Sequence, residues 1–119
     1  MKRICLLLCS FLMLAYVHAQ TSYYVDGVNG HDTSSGLALT HAWKTIQKAC
    51  NAAVPNSTVL IKGGTYFENP VVNVSGTSGN PITFRNYQND SVYIDGTGTV
   101  GTTMLQMTDK NYLNFDCDV

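Results

Sequence analysis

Val59-Leu60-Ile61-Lys62, Ile82-Thr83-Phe84-Arg85 and Met104-Leu105-Gln106-Met107 are three short runs of one kind, in which Val59, Ile82 and Leu105 fall at equal intervals. A second series lies between them: Val71-Val72-Asn73-Val74, Ser91-Val92-Tyr93-Ile94-Asp95 and Tyr112-Leu113-Asn114-Phe115. A strand sends successive side chains to opposite faces, so Ile82 and Phe84 belong to a core and Thr83 and Arg85 to the outside. The same alternation makes Val72/Val74, Val92/Ile94 and Leu113/Phe115 inward pairs. Strand-like segments recurring at a fixed period are the mark of a solenoid, in which each repeat packs only on its neighbours.

Working outward from these runs, turns separate the strands. Gly63-Gly64 and Asn69-Pro70 bracket Thr65-Tyr66-Phe67-Glu68, Ser75 to Pro81 is a plain turn segment, and Gly96-Thr97-Gly98 and Gly101 precede the third coil. Upstream, Ser22-Tyr23-Tyr24-Val25-Asp26 is a strand opening the domain, and Asp26 to Gly36 is a loop rich in residues that bond their own backbone. Ile46, Ala49, Cys50 and Ala53 then recur at helical spacing, with Thr45 placed as N-cap and Pro55 as terminator. A helix this short must bury its apolar face on something. The open end of the first coil is the surface that requires it, so Thr45 to Ala53 is expected to act as a lid, with Trp43 packed at its start.

The N-terminus reads Met1-Lys2-Arg3, an apolar stretch from Ile4 to Val17, and Val17-His18-Ala19 before Gln20. A basic start, a short apolar run and small residues before a break describe a signal peptide over 1–19, cleaved after Ala19. The alternative is an uncleaved membrane anchor, against which the apolar stretch falls short of the ~20 residues of a spanning helix; no membrane association is expected after cleavage. The location expected is secreted, periplasmic or cell surface. Of seven basic residues, Lys2 and Arg3 leave with the signal, so five face eight acids in the mature chain. That balance offers no basic stripe for phosphates, and no nucleic-acid partner is expected. The organisation is therefore signal peptide over 1–19, strand, loop and helix over 20–57, and β-coils over 58–119. Cys50 on the helix and Cys117 in the last strand region remain after cleavage; a bridge between them would have to cross the stack, and simple burial suits Cys50.

Tyr24-Val25-Asp26, Asn29-Gly30, Asp32, Gly36, Trp43 to Ala49, Thr58-Val59, Gly64-Thr65-Tyr66 and Gly79 to Phe84 occur in an order and spacing that covers nearly all of the mature chain. Together they resemble the N-terminal region of exported right-handed parallel β-helix proteins of the pectate-lyase-like superfamily, most closely its chondroitinase-B-like and related polysaccharide lyase branch. The resemblance implies an all-β, right-handed parallel β-helix with an N-terminal capping α-helix, acting on or holding uronate-containing polysaccharide. Relatives run to several hundred residues, so a chain reaching Val119 is expected to supply the cap and about three coils, and to be inactive by itself. One departure is Asn56-Ser57 where relatives often carry a Gly-Asp turn, which Asn can replace because it tolerates left-handed geometry.

A uronate lyase removes a proton from the carbon next to a carboxylate, which requires a cation on that carboxylate and a base nearby; Ca2+ in the full-length protein is a candidate. Lys62, Arg85, Asp95, Asp116 and Asp118 are the outward candidates, and Asp116 and Asp118 alternate onto one face beside Asn114 as a candidate metal ridge. Hydrolysis would instead need paired carboxylates, and Asp95 and Asp116 are candidates if they lie on neighbouring coils. Asp26, Asn29 and Asp32 invite a calcium loop, but their spacing is not that of the twelve-residue site, and a turn held by side-chain to backbone bonds is the stronger reading. Tyr93 and Tyr112 are the candidate sugar-stacking residues. The competing reading is a noncatalytic carbohydrate-binding or adhesive surface module, in which those tyrosines hold glycan.

Overall fold

The protein is described by a computed structural model, which covers residues 19–98 and 105–116. Residues 1–18 of the signal segment, Gly101, Met104, Cys117 and Asp118 lie outside the described residues. Among the described residues, eight strands form three parallel sheets beside one α-helix, a β-helix-like arrangement. β1 (Thr21–Val25), β2 (Ser57–Ile61), β5 (Ile82–Asn86) and β8 (Leu113–Asp116) stack in that order as a four-stranded sheet. β3 (Gly64–Tyr66) pairs with β6 (Val92–Ile94), and β4 (Val71–Val72) with β7 (Gln106–Met107).

Alternation decides the faces as expected. Ser57, Val59 and Ile61 on β2 and Ile82 and Phe84 on β5 are buried, while Thr58, Leu60, Thr83 and Arg85 between them are only half-buried. The core joins these residues to Val25, Tyr66, Val72 and the helix, with Val74, Val92, Ile94 and Leu113 packed against it. Asn56 enters β2 with φ 60, the left-handed geometry expected of it.

The equal spacing does not survive in the register. Ser57 pairs with Ile82 and Ile82 with Leu113, offsets of 25 and 31 residues, and Val59 faces Phe84 rather than Ile82. Leu105 is not in this sheet; the strand after it, β7, pairs with β4. The second series also divides, since Val71–Val72, Val92–Ile94 and Leu113–Asp116 belong to three different sheets. Only residues 67–70 separate β3 from β4, whereas 95–105 separate β6 from β7. Sequence intervals thus counted turn residues that the stacked strands do not share.

The helix α1 (Ile46–Ala52) starts at Thr45, whose side chain accepts from the Lys48 N–H at 3.1 Å, and buries Ile46, Ala49 and Cys50. Seven residues do not hold a helix in water, so its contacts must. The Gln47 amide substitutes for a strand edge: its Nε2 donates to the Val71 carbonyl at 2.9 Å and its Oε1 accepts from the Val71 N–H at 2.8 Å. The Asn73 N–H donates to the Cys50 carbonyl at 2.9 Å. Just before α1, Trp43 bridges the outer edge of β1 at Val25 and stacks on Tyr23, ring centroids 4.7 Å apart. Gly36 has φ 75 and its α-carbon faces the Trp43 ring so closely that a β-carbon would meet it at 2.5 Å, which explains a glycine there.

Candidate functional site

The outer face of the four-stranded sheet carries two aligned rows set by the register. Ser22, Thr58, Thr83 and Asn114 form one, and Tyr24, Leu60, Arg85 and Asp116 the other. The first row is wholly hydrogen-bonding. The second runs from an aromatic ring through an aliphatic side chain to a guanidinium and a carboxylate. Tyr87, just past β5, meets Tyr24 edge to face with centroids 6.3 Å apart, so two rings from separate coils form one aromatic corner.

Beside that corner the Lys62 ammonium donates to Asp26 Oδ2 at 3.2 Å. Asp26 Oδ1 accepts the Val28 and Asn29 N–H groups at 2.9 and 3.0 Å, so this carboxylate serves as a turn anchor. Burial alone would raise its pKa. The two backbone donors and Lys62 together outweigh burial and hold it below the ordinary aspartate value. Asp32 is used in the same way, accepting from the Lys44 and Thr45 N–H groups and the Thr45 hydroxyl at 2.8 to 3.0 Å. The Asp26–Asn29–Asp32 loop is thus a turn built on side-chain to backbone bonds, as its spacing suggested.

Glu68 was not singled out by sequence reasoning, yet it joins the turn after β3 to the helix start. Its carboxylate accepts the Ile46 N–H at 3.1 Å and the Gln47 N–H at 2.7 Å. Burial raises its pKa; the two backbone donors oppose that, the Asp32 charge reinforces it, and the net shift is upward. The Cys50 thiol is pushed up to about 12, by burial first and then by the Glu68 charge, which leaves it without thiolate at neutral pH. Tyr66 is buried, donates its hydroxyl to the Lys62 carbonyl at 2.7 Å and accepts the Gly27 N–H at 3.3 Å; burial leads the causes that raise its pKa.

The anticipated site residues do not converge. Tyr93 is 63% exposed on β6, in register with Thr65, whereas Tyr112 is 55% exposed with φ 55 just ahead of β8. They stand on different sheets. Asp116 is exposed at the end of β8 in register with Arg85, and its intended companion Asp118 is outside the described residues. Asp95 follows β6 and accepts the Thr97 N–H at 2.8 Å, whereas Asp116 ends β8 in another sheet, so the two carboxylates do not lie on neighbouring strands of one sheet. Among the described residues no three His, Cys, Asp or Glu side chains are placed to hold a metal ion. The Tyr24–Tyr87 corner escaped sequence reading because only the stacking of β1, β2 and β5 brings the rings together.

No family model matches the chain. It is 34% identical over 112 residues to the uncharacterized protein YwoF of Bacillus subtilis, covering 84% of this chain and 24% of that protein. It is 36% identical over 76 residues to pectate lyase PEL9 of Emericella nidulans, 62% of this chain and 18% of the lyase. Lacto-N-biosidase of Bifidobacterium longum is 32% identical over 73 residues, 56% of this chain and 5% of the enzyme. Among solved structures, that of XylC in complex with xylose superposes with a TM-score of 0.55 and 26% identity, over 60% of this chain and 11% of XylC. The chain therefore spans a quarter or less of the length of each. By their names the lyase and the biosidase act on carbohydrates, and these likenesses together with the parallel sheets point to a pectate-lyase-like β-helix fold without singling out a branch within that superfamily.

Proposed function

We propose that this chain is the N-terminal part of an exported right-handed parallel β-helix protein that degrades acidic polysaccharide by β-elimination, in the chondroitinase-B-like and related polysaccharide lyase branch. Residues 1–19 direct export and are removed after Ala19. α1 and Trp43 cover the N-terminal end of a closed stack whose coils continue the pattern of β2 to β8. The observation that supports this reading most is the 36% identity with pectate lyase PEL9 across 62% of the chain. The parallel sheets are the architecture such an enzyme needs to lay a long polymer across successive coils.

β-Elimination transfers the proton beside a uronate carboxylate to a base and expels the neighbouring glycosidic oxygen, with a cation offsetting the charge that builds on the carboxylate. The Lys62 ammonium is engaged by Asp26, whereas Arg85 faces outward from β5. The whole protein, translated from its complete reading frame, is expected to release unsaturated uronate from polygalacturonate or dermatan sulfate, followed by ultraviolet absorbance. The 119-residue chain alone is expected to release none. Saturated reducing ends from the whole protein would make it a hydrolase, and retention of polymer without cleavage would make it a binding module. Mass spectrometry of the mature N-terminus tests export, with Gln20 the expected first residue.

A further inference from the structure

The start of β1 carries a side chain that the proposed reaction does not use. Gln20 is exposed, as is Ala19 before it. Backbone pairing begins one residue later, where the Thr21 N–H donates to the Asn56 carbonyl at 3.2 Å and Thr21 stands in register with Ser57. What ties Gln20 down is its carboxamide, whose Nε2 donates to Thr58 Oγ1 on β2 at 2.8 Å. That bond is exposed, and it points the carboxamide at the neighbouring strand rather than back along its own backbone. Removal of residues 1–19 turns the Gln20 backbone nitrogen into a free α-amine. The carboxamide carbon of the same residue then lies where a five-membered ring can close on it.

We propose that Gln20 is a modification site: in the exported chain it closes into a terminal lactam, 5-oxoproline, and the Thr58 hydroxyl sets how fast it does so. The inference rests on the export reading above, with cleavage after Ala19, and on no activity of the protein. An α-amine titrates near pH ~8, so part of it is unprotonated at neutral pH. The unprotonated nitrogen attacks Cδ of its own carboxamide. The N–Cδ bond forms, the Cδ–Nε2 bond breaks, and Nε2 leaves as ammonia with the proton that the amine gives up. Nothing is oxidised or reduced, and no second reactant is consumed. Nε2 is the atom that Thr58 holds, so the ring closes from conformers in which that bond is open. Closure leaves β1 as it is, because the strand's first backbone bond is made by the Thr21 N–H. A positive terminus becomes neutral. An aminopeptidase, which grips a free α-amine, then has no hold at the head of the sheet's edge strand.

Peptide mass mapping of the exported whole protein, paired with Edman degradation, reads the terminus. The expected terminal peptide begins at residue 20, is lighter than its sequence by one ammonia and is blocked to Edman chemistry. A peptide that begins at residue 20 but keeps its full mass and free amine after prolonged incubation at neutral pH overturns the lactam and leaves the export reading standing. A terminus at any other residue overturns both. The rate is read on the same protein purified behind a cleavable leader whose removal leaves Gln20 first. Thr58→Val keeps the branched shape and removes the acceptor, and should close the ring about threefold faster, the worth of one exposed hydrogen bond. Thr58→Ser keeps the acceptor and should keep the rate. In urea, where the strands no longer hold Gln20 beside Thr58, all three chains should close alike. A Thr58→Val rate equal to that of the unsubstituted folded protein, or a difference that persists in urea, overturns the role of Thr58.

Discussion

The two edges of the four-stranded sheet are treated in opposite ways. At the β1 edge, Trp43 bridges Val25, and the Tyr24 N–H donates to the Gly36 carbonyl at 2.8 Å, so loop backbone takes the place of a further strand. Trp43 is 3% exposed there, and Ile46, Ala49 and Cys50 are buried beside it. At the β8 edge, Phe115 continues the inward column by stacking on Phe84, centroids 5.2 Å apart, yet it is 40% exposed. An apolar opening of about 140 Å³ lies behind it, lined by Ile61, Phe84, Val92, Ile94 and Leu105 among others. A parallel stack buries its end residues only when something other than another coil satisfies the terminal backbone and covers the apolar column. Among the described residues, Trp43 and the backbone of the loop at Gly36 satisfy the β1 edge in this way.

The sharpest way to break this contrast is to truncate one aromatic ring at each edge. Trp43→Ala removes a buried ring with its stack on Tyr23 and leaves the Ser34 carbonyl without the indole donor that reaches it at 2.9 Å. A loss of about 3–5 kcal/mol is expected in urea unfolding. Phe115→Ala removes a ring that is already partly in water, and about 1 kcal/mol, the worth of the aromatic pair, is expected. Equal losses would mean that the two edges are equally buried in solution.

Next in size are the polar ties of the helix. Glu68→Ala leaves two N–H groups at the start of α1 without their acceptor, and Gln47→Ala removes both bonds to the Val71 backbone; each is expected to cost about 1–2 kcal/mol. Since both side chains act on the same short helix, their effects should not add, and the double variant is expected to lose less than the sum. Strict additivity would show that the helix responds to each tie independently. Cys50 reports the same region without a mutation. With its thiol buried and its pKa near 12, it should resist alkylation until the protein unfolds.

What the sequence disclosed and what it hid follow from this same difference. α1 was legible because its signals are local: apolar residues at helical spacing, Thr45 as cap and Pro55 beyond the end. The inward pairing of Ile82 with Phe84 was legible because alternation acts over two residues. Register was not, since Leu105 and Leu113 compete for the place beneath Ile82 and the number of residues between β6 and β7 decides between them. Glu68 lies in a turn between Phe67 and Asn69, where a lone acid reads as solvated surface. Its role depends on a helix twenty residues upstream arriving beside it, and neither propensity nor periodicity carries that information.

The smallest effect expected is the difference in how two carboxylates respond to acid, and its sign separates them. Asp26 has a folded pKa below 3.8, so the native state releases its proton more readily than the unfolded chain. Its contribution is fully present above that unfolded value and is lost as pH falls through the lower, folded one. Glu68 is shifted the other way, above 4.5; the native state holds that proton more tightly, so its ionisation lowers stability as pH rises from 4.5 through the folded value. Asp26→Asn should therefore flatten the acid loss below about pH 4 and, through the lost Lys62 pair, cost about 1 kcal/mol at neutral pH. Glu68→Gln should instead remove a decline on the alkaline side of 4.5. Unfolding curves taken at closely spaced pH values check both, and a Glu68→Gln profile parallel to the unsubstituted protein through that window would show that burial at the helix start does not hold the proton. The loop carboxylate and the helix carboxylate would then differ in geometry alone, and the helix-bearing edge would owe its order to apolar contact rather than to the buried acid that ties it down.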